Sequence, residues 1–422
     1  MKIAYLCADF GIPIQGDKGA SVHVRAVVAA LTAQGHDVRV LTPTPGAGNP
    51  LGAPLLTVAP DGLPAACGRV VGALTRGRAP RLVKETREVA YNLTLYQQAW
   101  ARFRSWRPDA IYERYSLFTV AGLALARRLG VPHLLEVNAP LRLERARTKG
   151  LVLEPVARFV ERRLYSRSDA VLVVSEALRA YARERGAVAT RTRVLPNGVD
   201  TTRFHPSVDG RAARARWGLA PDALVVGFAG SLKPWHGVET LLDAFAALRA
   251  HTPTARLLVI GTGPQEAAVR ARATDLRLGD SVVFTGAVAH AAMPGLLAAL
   301  DIGVAPYLAV PDFYFSPLKL YEYMAAGVAV VASDAGAIAT LVRAGETGLL
   351  CPPGDADALA GALACLASDP TLRARLGAAA RAEAERHTWA VNACVIAGLA
   401  SAARDDHGAG AVGRQTLGGR RT

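Results

Sequence analysis

The residues of this 422-residue chain best suited to chemistry gather in three glycine-containing loops, each lying between an apolar run and a helical stretch. The first loop opens FGIPIQGDKGASVHVRAVVAAL. Gly16 and Gly19 let the backbone approach a ligand, and Ser21 is the expected N-cap of a helix starting near Val22. Free amides at such a helix start favour phosphate. The spacing fits neither a GxGxxG fingerprint nor a Walker A loop. His23, one turn into that helix, is a candidate catalytic group or a polar residue of the helix face. The second loop, VVGFAGSLKPWHGVETLLDAFA, offers Gly230, Ser231, Lys233, Trp235 and His236 before the next helix. A lysine beside helix-terminal amides is a ligand for a diphosphate; a solvated Lys233 with Trp235 packed beneath the loop is the alternative. In the third, DFYFSPLKLYEYMAAGVAVVAS, Ser316 reads as an N-cap and Pro317 as the first helical residue. Lys319 then falls in the first turn, where the helix dipole disfavours a cation unless an anion is bound there. Glu322, three residues on, shares its side of the helix, so a surface Lys–Glu pair is the competing reading.

These residue types suggest a cationic, amide-lined cradle that stabilises negative charge developing on a departing group. No Asp, Glu or His set has metal-ligand spacing, so no bound divalent ion is expected. No nucleophile with an adjacent base stands out. Lys233 is the expected principal cation. Two further loops, YERYS and EVNAP, end apolar strands and add Glu113, Arg114, Glu136 and Asn138; a buried Arg114–Glu136 pair supporting the loops is the structural alternative.

The elements that must position these loops alternate in type. Short β-branched runs are expected as strands at 3–8, 38–42, 110–114, 133–137, 170–175 and 193–195, and again at 224–229, 256–261, 281–285, 302–305, 328–332 and 348–351. Strands spaced by helices imply βαβ units, and continuous apolar runs such as VAVVAS fit parallel strands buried on both faces. The pattern restarts near Leu224, so the expected fold class is α/β with two Rossmann-like domains facing across a cleft. Ligands of open α/β sheets bind at the carboxyl ends of the strands. The expected domains are 1–200, with an irregular Gly- and Pro-rich excursion at 42–80, and 201–385. A crossover helix at 386–403 and a disordered tail at 404–422 complete the chain.

Composition narrows the class. With 51% apolar residues, 40 Gly and 25 Pro, the chain is neither disordered nor collagen-like. No apolar run reaches the roughly 18 residues of a membrane span, and MKIAYLCADFGIPI reads as a first strand, not a signal peptide. Five cysteines without CxxC spacing suit reduced thiols and a cytoplasmic location. Residues 1–205 carry 30 Lys and Arg against 16 Asp and Glu, whereas residues 206–422 balance at 19 and 19. That excess points to an acidic ligand or an anionic membrane surface met by the first half, or to an arginine-favouring genome. Nucleic acid is not expected as a partner, being the weaker reading of the charge: the basic residues are dispersed, aromatics make up 6%, and no recognition motif is present.

Taken together, VLPNGVDTTRFHP (Val194–Pro206), FAGSLKPWHGVETLLDAF, VVFTGAV and SPLKLYEYMAAGVAVVAS resemble the retaining GT-B glycosyltransferases of family 4, over nearly the whole chain. The resemblance implies a second domain that binds a nucleotide-sugar donor. It implies a first domain that binds a glycan, lipid-linked or small-molecule acceptor, and a C-terminal helix that packs back on the first domain. It implies metal-independent transfer with retention and no cofactor, the donor being a substrate. Glu322 matches the second acid of the E-x7-E motif, which holds the donor ribose; the first acid is replaced by Tyr314, with Asp312 nearby. The amides of Phe315, Ser316, Pro317 and Leu318 lie on the donor side, Pro317 contributing backbone without an N–H. The Arg and Lys of the phosphate clamp fall at Ser231 and His236, leaving Lys233, and secondly Lys319, as cations. Gly19 and Gly230 match positions near the diphosphate, and Gly263 and Val288 lie in loops that wrap the nucleobase. Asn138 stands where many relatives carry a histidine. Glu113, Arg114, Glu136 and Asn138 are the acceptor-side candidates. The alternatives are a nucleotide-sugar epimerase of the same fold or a non-catalytic nucleotide-sugar-binding protein.

Overall fold

The computed structural model describes residues 1–311 and 313–418, with side chains described as far as His407. The chain divides into two compact units, Met1–Pro196 with the segment from Asn392 onward, and Asn197–Val391. The boundary therefore falls at Pro196, a few residues before the expected position.

The first unit is built on a seven-stranded sheet: β1 (Lys2–Cys7), β2 (Asp37–Thr42), β3 (Leu55–Thr57), β4 (Ala110–Arg114), β5 (His133–Val137), β6 (Ala170–Val173) and β7 (Thr192–Val194). The strand order is β3-β2-β1-β4-β5-β6-β7, and all pairings are parallel. The second unit carries β8 (Val225–Ala229), β9 (Arg256–Ile260), β10 (Val282–Gly286), β11 (Ile302–Ala305), β12 (Ala329–Ser333) and β13 (Leu349–Cys351), ordered β10-β9-β8-β11-β12-β13 and again parallel. Each sheet reverses its winding once, between β1 and β4 in the first and between β8 and β11 in the second. The loops leaving those strand ends are the ones a ligand meets in a doubly wound sheet.

Burial on both faces explains the uninterrupted apolar strands. Val225, Ala229, Leu258, Val330 and Ala332 enter one core of the second unit. Their strand neighbours Val226, Phe228, Leu257, Val259 and Val331 enter the core on the opposite face. A polar residue at any of these positions would be desolvated whichever way it pointed.

Two expectations need correction. The 42–80 stretch is not wholly irregular. It holds β3, an edge strand only three residues long and incompletely buried, and a helix at Leu63–Leu74 with Pro64 in its first turn. A strand that short gives no apolar run to read. The tail set at 404–422 is also helical as far as Gly418, within one helix spanning Trp389–Gly418. Its Gly and Asp content reads as solvated, yet Arg404 pairs with Asp109 at 2.6 Å and His407 with Asp169 at 3.0 Å. Residues 419–422 lie outside the described residues. From Asn392 the helix belongs to the first unit, where Asn392 donates to the Pro196 carbonyl at 2.8 Å and Ala393, Ile396 and Ala400 are buried.

Glu113 belongs to the structural framework of the first unit. Its carboxylate lies 2.7 Å from His133 Nε2, whose Nδ1 meets Ser168 Oγ at 2.9 Å, all beneath the surface. Removing one member leaves the other polar group buried and unpaired. Glu113→Ala is therefore expected to cost about 3 kcal/mol in urea denaturation, against less than about 0.5 kcal/mol for the exposed Phe159→Ala. Equal effects of the two substitutions would contradict this assignment.

Candidate active site

In the second unit the loops after β8 and β9 are joined by their backbones. Gly230 N donates to the Ile260 carbonyl at 2.9 Å, Leu232 N to Thr262 at 2.9 Å, and Gln265 N to the Leu232 carbonyl at 3.0 Å. Gly263 is required by this join, since a Cβ there would sit 2.4 Å from Leu232 N. The chain then turns through Pro234–His236 into Gly237, at φ 62°, where a side chain would strike the Pro306 carbonyl. The helix Val238–His251 follows.

The helix of the third loop is Leu318–Ala325, with Pro317 at its N-cap position and no side-chain cap. Neither expected assignment holds there: Ser316 does not cap, and Pro317 precedes the first helical residue. Ser316 Oγ instead accepts the Asn197 backbone N–H at 3.0 Å and contacts the Tyr321 hydroxyl at 3.2 Å, while the Asn197 side-chain amide donates to the Ser316 carbonyl. Asn197 fixes the entry to this helix and was missed as a positioning residue, although it lies inside VLPNGVD. The far end of the contact is equally tied. The Tyr323 hydroxyl accepts from Ala229 N at 2.7 Å, fastening the helix to the last residue of β8.

Between these anchors lies Lys319, 8% exposed. Its Nζ is 3.8 Å from the ring centroid of Phe228 and 5.2 Å from that of Tyr307, and it has no hydrogen-bond partner. A Cβ on Gly230 would approach Nζ to 3.0 Å. Desolvation alone draws the ammonium down to about 7. Lys233 differs. It is exposed, with Nζ 4.9 Å from the ring of Trp235, which itself stacks on Phe315 at 6.2 Å and 8°. Tyr314, at the first-acid position, lays its ring on Phe315 at 4.4 Å. Asp312 lies outside the described residues.

His236 is held neutral. Burial first, then the neighbouring Lys319, and finally Lys233 hold its imidazole down at about 3, against a raising contribution from Ser231. Its Nδ1 faces the Ser231 carbonyl, which can only accept, so Nδ1 carries the proton and Nε2 is an acceptor. Glu322 is engaged as well: its Oε1 lies 2.7 Å from His290 Nε2. His290 follows β10 in the GAVAH loop and was not singled out from sequence, where only Val288 was; Val288 is half-buried against the core.

In the first unit the helix after β1 is Gly19–Ala33, three residues longer than expected at its start. Lys18 holds the cap position, so Ser21 is an internal residue of the first turn and not the cap. It is buried with no hydrogen-bond partner for its hydroxyl, whereas Gly19 is exposed. His23 bonds Glu136 Oε1. The other carboxylate oxygen faces the Tyr5 hydroxyl at 3.4 Å and Arg114 Nη1 at 3.6 Å. Burial raises the Glu136 pKa, but His23, Arg114 and Asn138 more than offset it and hold the carboxyl at about 2. The structure thus assembles His23, Arg114, Glu136 and Asn138 and leaves Glu113 out. Alternation along β4 turns Glu113 to the opposite face, toward His133.

A "Glycosyltransferase Family 4" model matches residues 18–203 and a "Glycosyl transferases group 1" model matches residues 223–369. A D-inositol 3-phosphate glycosyltransferase of Streptomyces scabiei is 31% identical over 94% of this chain and 89% of its own. The chain belongs to the family 4 glycosyltransferases. A GDP-mannose-dependent phosphatidylinositol monomannoside mannosyltransferase of Mycolicibacterium smegmatis is 32% identical over 61% of this chain and 68% of its own. Among solved structures, sucrose-phosphate synthase from Thermosynechococcus elongatus superposes with a TM-score of 0.73 at 25% identity, covering 94% of this chain and 98% of that one. The fold is accordingly GT-B, and the protein is a glycosyltransferase that draws on a nucleotide-sugar donor. The epimerase and non-catalytic alternatives are not favoured.

In the first unit the Glu136 carboxylate has a pKa below its unfolded value of 4.5. Its contribution to stability is therefore complete above about pH 4.5 and is lost as pH falls toward 2. Wild type should lose more stability than Glu136→Gln between pH 5 and pH 3 in urea titrations; parallel pH profiles would remove Glu136 from this role.

Proposed function

We propose that this glycosyltransferase moves a sugar from a nucleoside diphosphate to an acceptor hydroxyl with retention of anomeric configuration and without a metal ion. The observation that carries this reading is the Lys319 ammonium buried at the carboxyl end of β8 without a counter-ion. The donor diphosphate supplies that charge, assisted by the backbone amides of the Phe315–Leu318 segment and by the exposed Lys233. As the sugar C1–O bond to the diphosphate breaks, negative charge grows on the leaving oxygen, and fixed cations stabilise it more in the transition state than in the ground state. The acceptor hydroxyl attacks C1 from the face the diphosphate is leaving and gives its proton to the departing phosphate oxygen. That route requires no protein nucleophile. The groups around Lys319 support it: Phe228, Tyr307 and His236 include no carboxylate, and Glu322 is bonded to His290.

Metal independence is supported by the ligand chemistry, since among the described residues no three His, Cys, Asp or Glu cluster as metal ligands. The test is transfer from UDP-, GDP- and ADP-sugars with excess EDTA, reading product anomer by proton NMR. Undiminished turnover giving the donor's own anomeric configuration is expected. Loss of activity on chelation, restored by Mg²⁺, or an inverted product would overturn the proposal.

The acceptor side of the proposal is an anionic hydroxyl compound presented at a membrane surface. No described helix is long and apolar enough to cross a membrane. On the helix Leu63–Leu74, however, Leu63, Val70 and Leu74 recur at i, i+7 and i+11 and are 45%, 58% and 78% exposed, with Arg69, Arg76 and Arg78 exposed beside them. Apolar side chains ringed by arginine, on the unit that holds the chain's excess charge, match an anionic lipid bilayer. Co-sedimentation with phosphatidylglycerol-containing vesicles should be several-fold above that with phosphatidylcholine vesicles at low salt, and should fall for V70E/L74E. Negligible binding to both would remove the membrane contact.

A further inference from the structure

Lys319 is the one buried cation among the described residues whose charged atom has neither a carboxylate within ion-pair distance nor any hydrogen-bond acceptor. Its position is over-determined. Asn197 and Ser316 set the start of its helix, Tyr323 ties that helix to β8, and Gly230 leaves the volume that Nζ approaches. What the site offers the ammonium is the faces of two aromatic rings, a weaker compensation than water or a carboxylate. Nothing in the packing requires a charge, because a methionine of similar length would fill the same space.

We propose that Lys319 is a proton-coupled anion receptor: it gives up its proton readily while the site is empty, and takes one from solvent when the donor's diphosphate arrives. This rests on the donor-site reading above and assigns the receiving charge within it to Lys319, with the exposed Lys233 in an auxiliary place. The surrounding titratable groups leave Lys319 as the source of the exchanged proton. On the loop after β8, His236 is held neutral by burial, by Lys319 itself and by Lys233 beyond it. After β11, burial raises the Tyr307 phenol out of range. On the same helix, Glu322 is bonded to His290. Desolvation sets the Lys319 ammonium at about 7 in the empty site, and a bound diphosphate dianion reverses that cost by pairing.

The consequence is a binding reaction that consumes protons in a pH range where the nucleotide does not. At pH 8 the terminal phosphate of a nucleoside diphosphate, with its second pKa near ~6, is already ionised. A lysine with a pKa of about 7 is then mostly neutral, so its loading draws nearly a full proton from the buffer. A lysine already charged in the empty site would draw none. The empty enzyme is also spared a permanently uncompensated ammonium, which makes the charge available chiefly when the leaving group is present.

Isothermal titration calorimetry with UDP, GDP and ADP at pH 8, in HEPES and in Tris, reads the exchanged protons from the difference in heat between buffers. For the nucleotide that binds, the expected result is uptake of about 0.9 proton by wild type, unchanged in Lys233→Ala. Lys319→Met should bind at least tenfold more weakly with no uptake, while its ligand-free melting temperature stays level or rises, because no hydrogen bond is lost. Lys319→Arg, permanently charged, should bind without uptake. Tight binding by wild type with no proton exchange, or Lys319→Met binding within twofold of wild type, would overturn the proposal and leave the donor reading intact. A fall in the ligand-free melting temperature of Lys319→Met matching its loss of affinity would assign Lys319 a structural role instead. Absence of binding for all three nucleotides to wild type would bring down the donor reading and this inference together.

Discussion

An amine buried against aromatic rings with no partner is costly to charge, and much of the second unit is arranged to hold this one in that setting. The carboxyl ends of β8 and β11 bring Phe228 and Tyr307 to either side of Lys319, and Gly230 keeps side-chain atoms out of its way. The helix that carries it is fixed from both directions, by Asn197 through Ser316 and by Tyr323 through the Ala229 amide. Left to relax, a lysine of that length would swing its head to water. Under the proposed function, holding it in place means that the amine, once protonated, meets the leaving group without a further change of its position.

The first unit solves an electrostatic problem of the opposite kind. Its buried carboxylate, Glu136, is compensated on both oxygens, by His23 on one and by Arg114 and Tyr5 on the other. Such a cluster balances its own charge within the first unit. Glu113 and Glu136, equivalent candidates from sequence, are separated by the pleat. One faces His133 inside the sheet's packing and the other faces the loops at the strand ends. The two units thus divide their roles, with charge held in reserve in one and charge neutralised in the other.

Strand placement was legible because parallel strands buried on both faces must be apolar throughout, as VAVVAS and the β8 run VVGFA are. β3 escaped notice because an edge strand of three residues carries no such constraint, and the C-terminal helix escaped because its Gly and Asp content resembles a solvated tail. Lys319 could be read as anomalous from its place in a helix's first turn, but its burial depends on Phe228 and Tyr307, ninety-one and twelve residues away in sequence, which no local pattern links. Lys233, by contrast, is exposed, and its place in the loop after β8 is legible from sequence. His236 matched a cationic position by alignment, whereas its bond to the Ser231 carbonyl and its burial make it neutral. His290 and Asn197 act through partners distant in the chain, which spacing alone does not reveal.

The chain contains only six lysines, so the side chain at the centre of this account can be observed individually. The most direct measurement is a pH titration of ¹³Cε-labelled lysine signals by NMR, with Lys319 assigned through Lys319→Met, in the free enzyme and with the bound nucleotide diphosphate. The account predicts a midpoint near 7 for Lys319 without ligand and a signal that remains in its ammonium position up to at least pH 9 with ligand. A Lys319 signal that titrates above pH 10 in the free enzyme, like an exposed lysine, or that is unmoved by nucleotide, would contradict it.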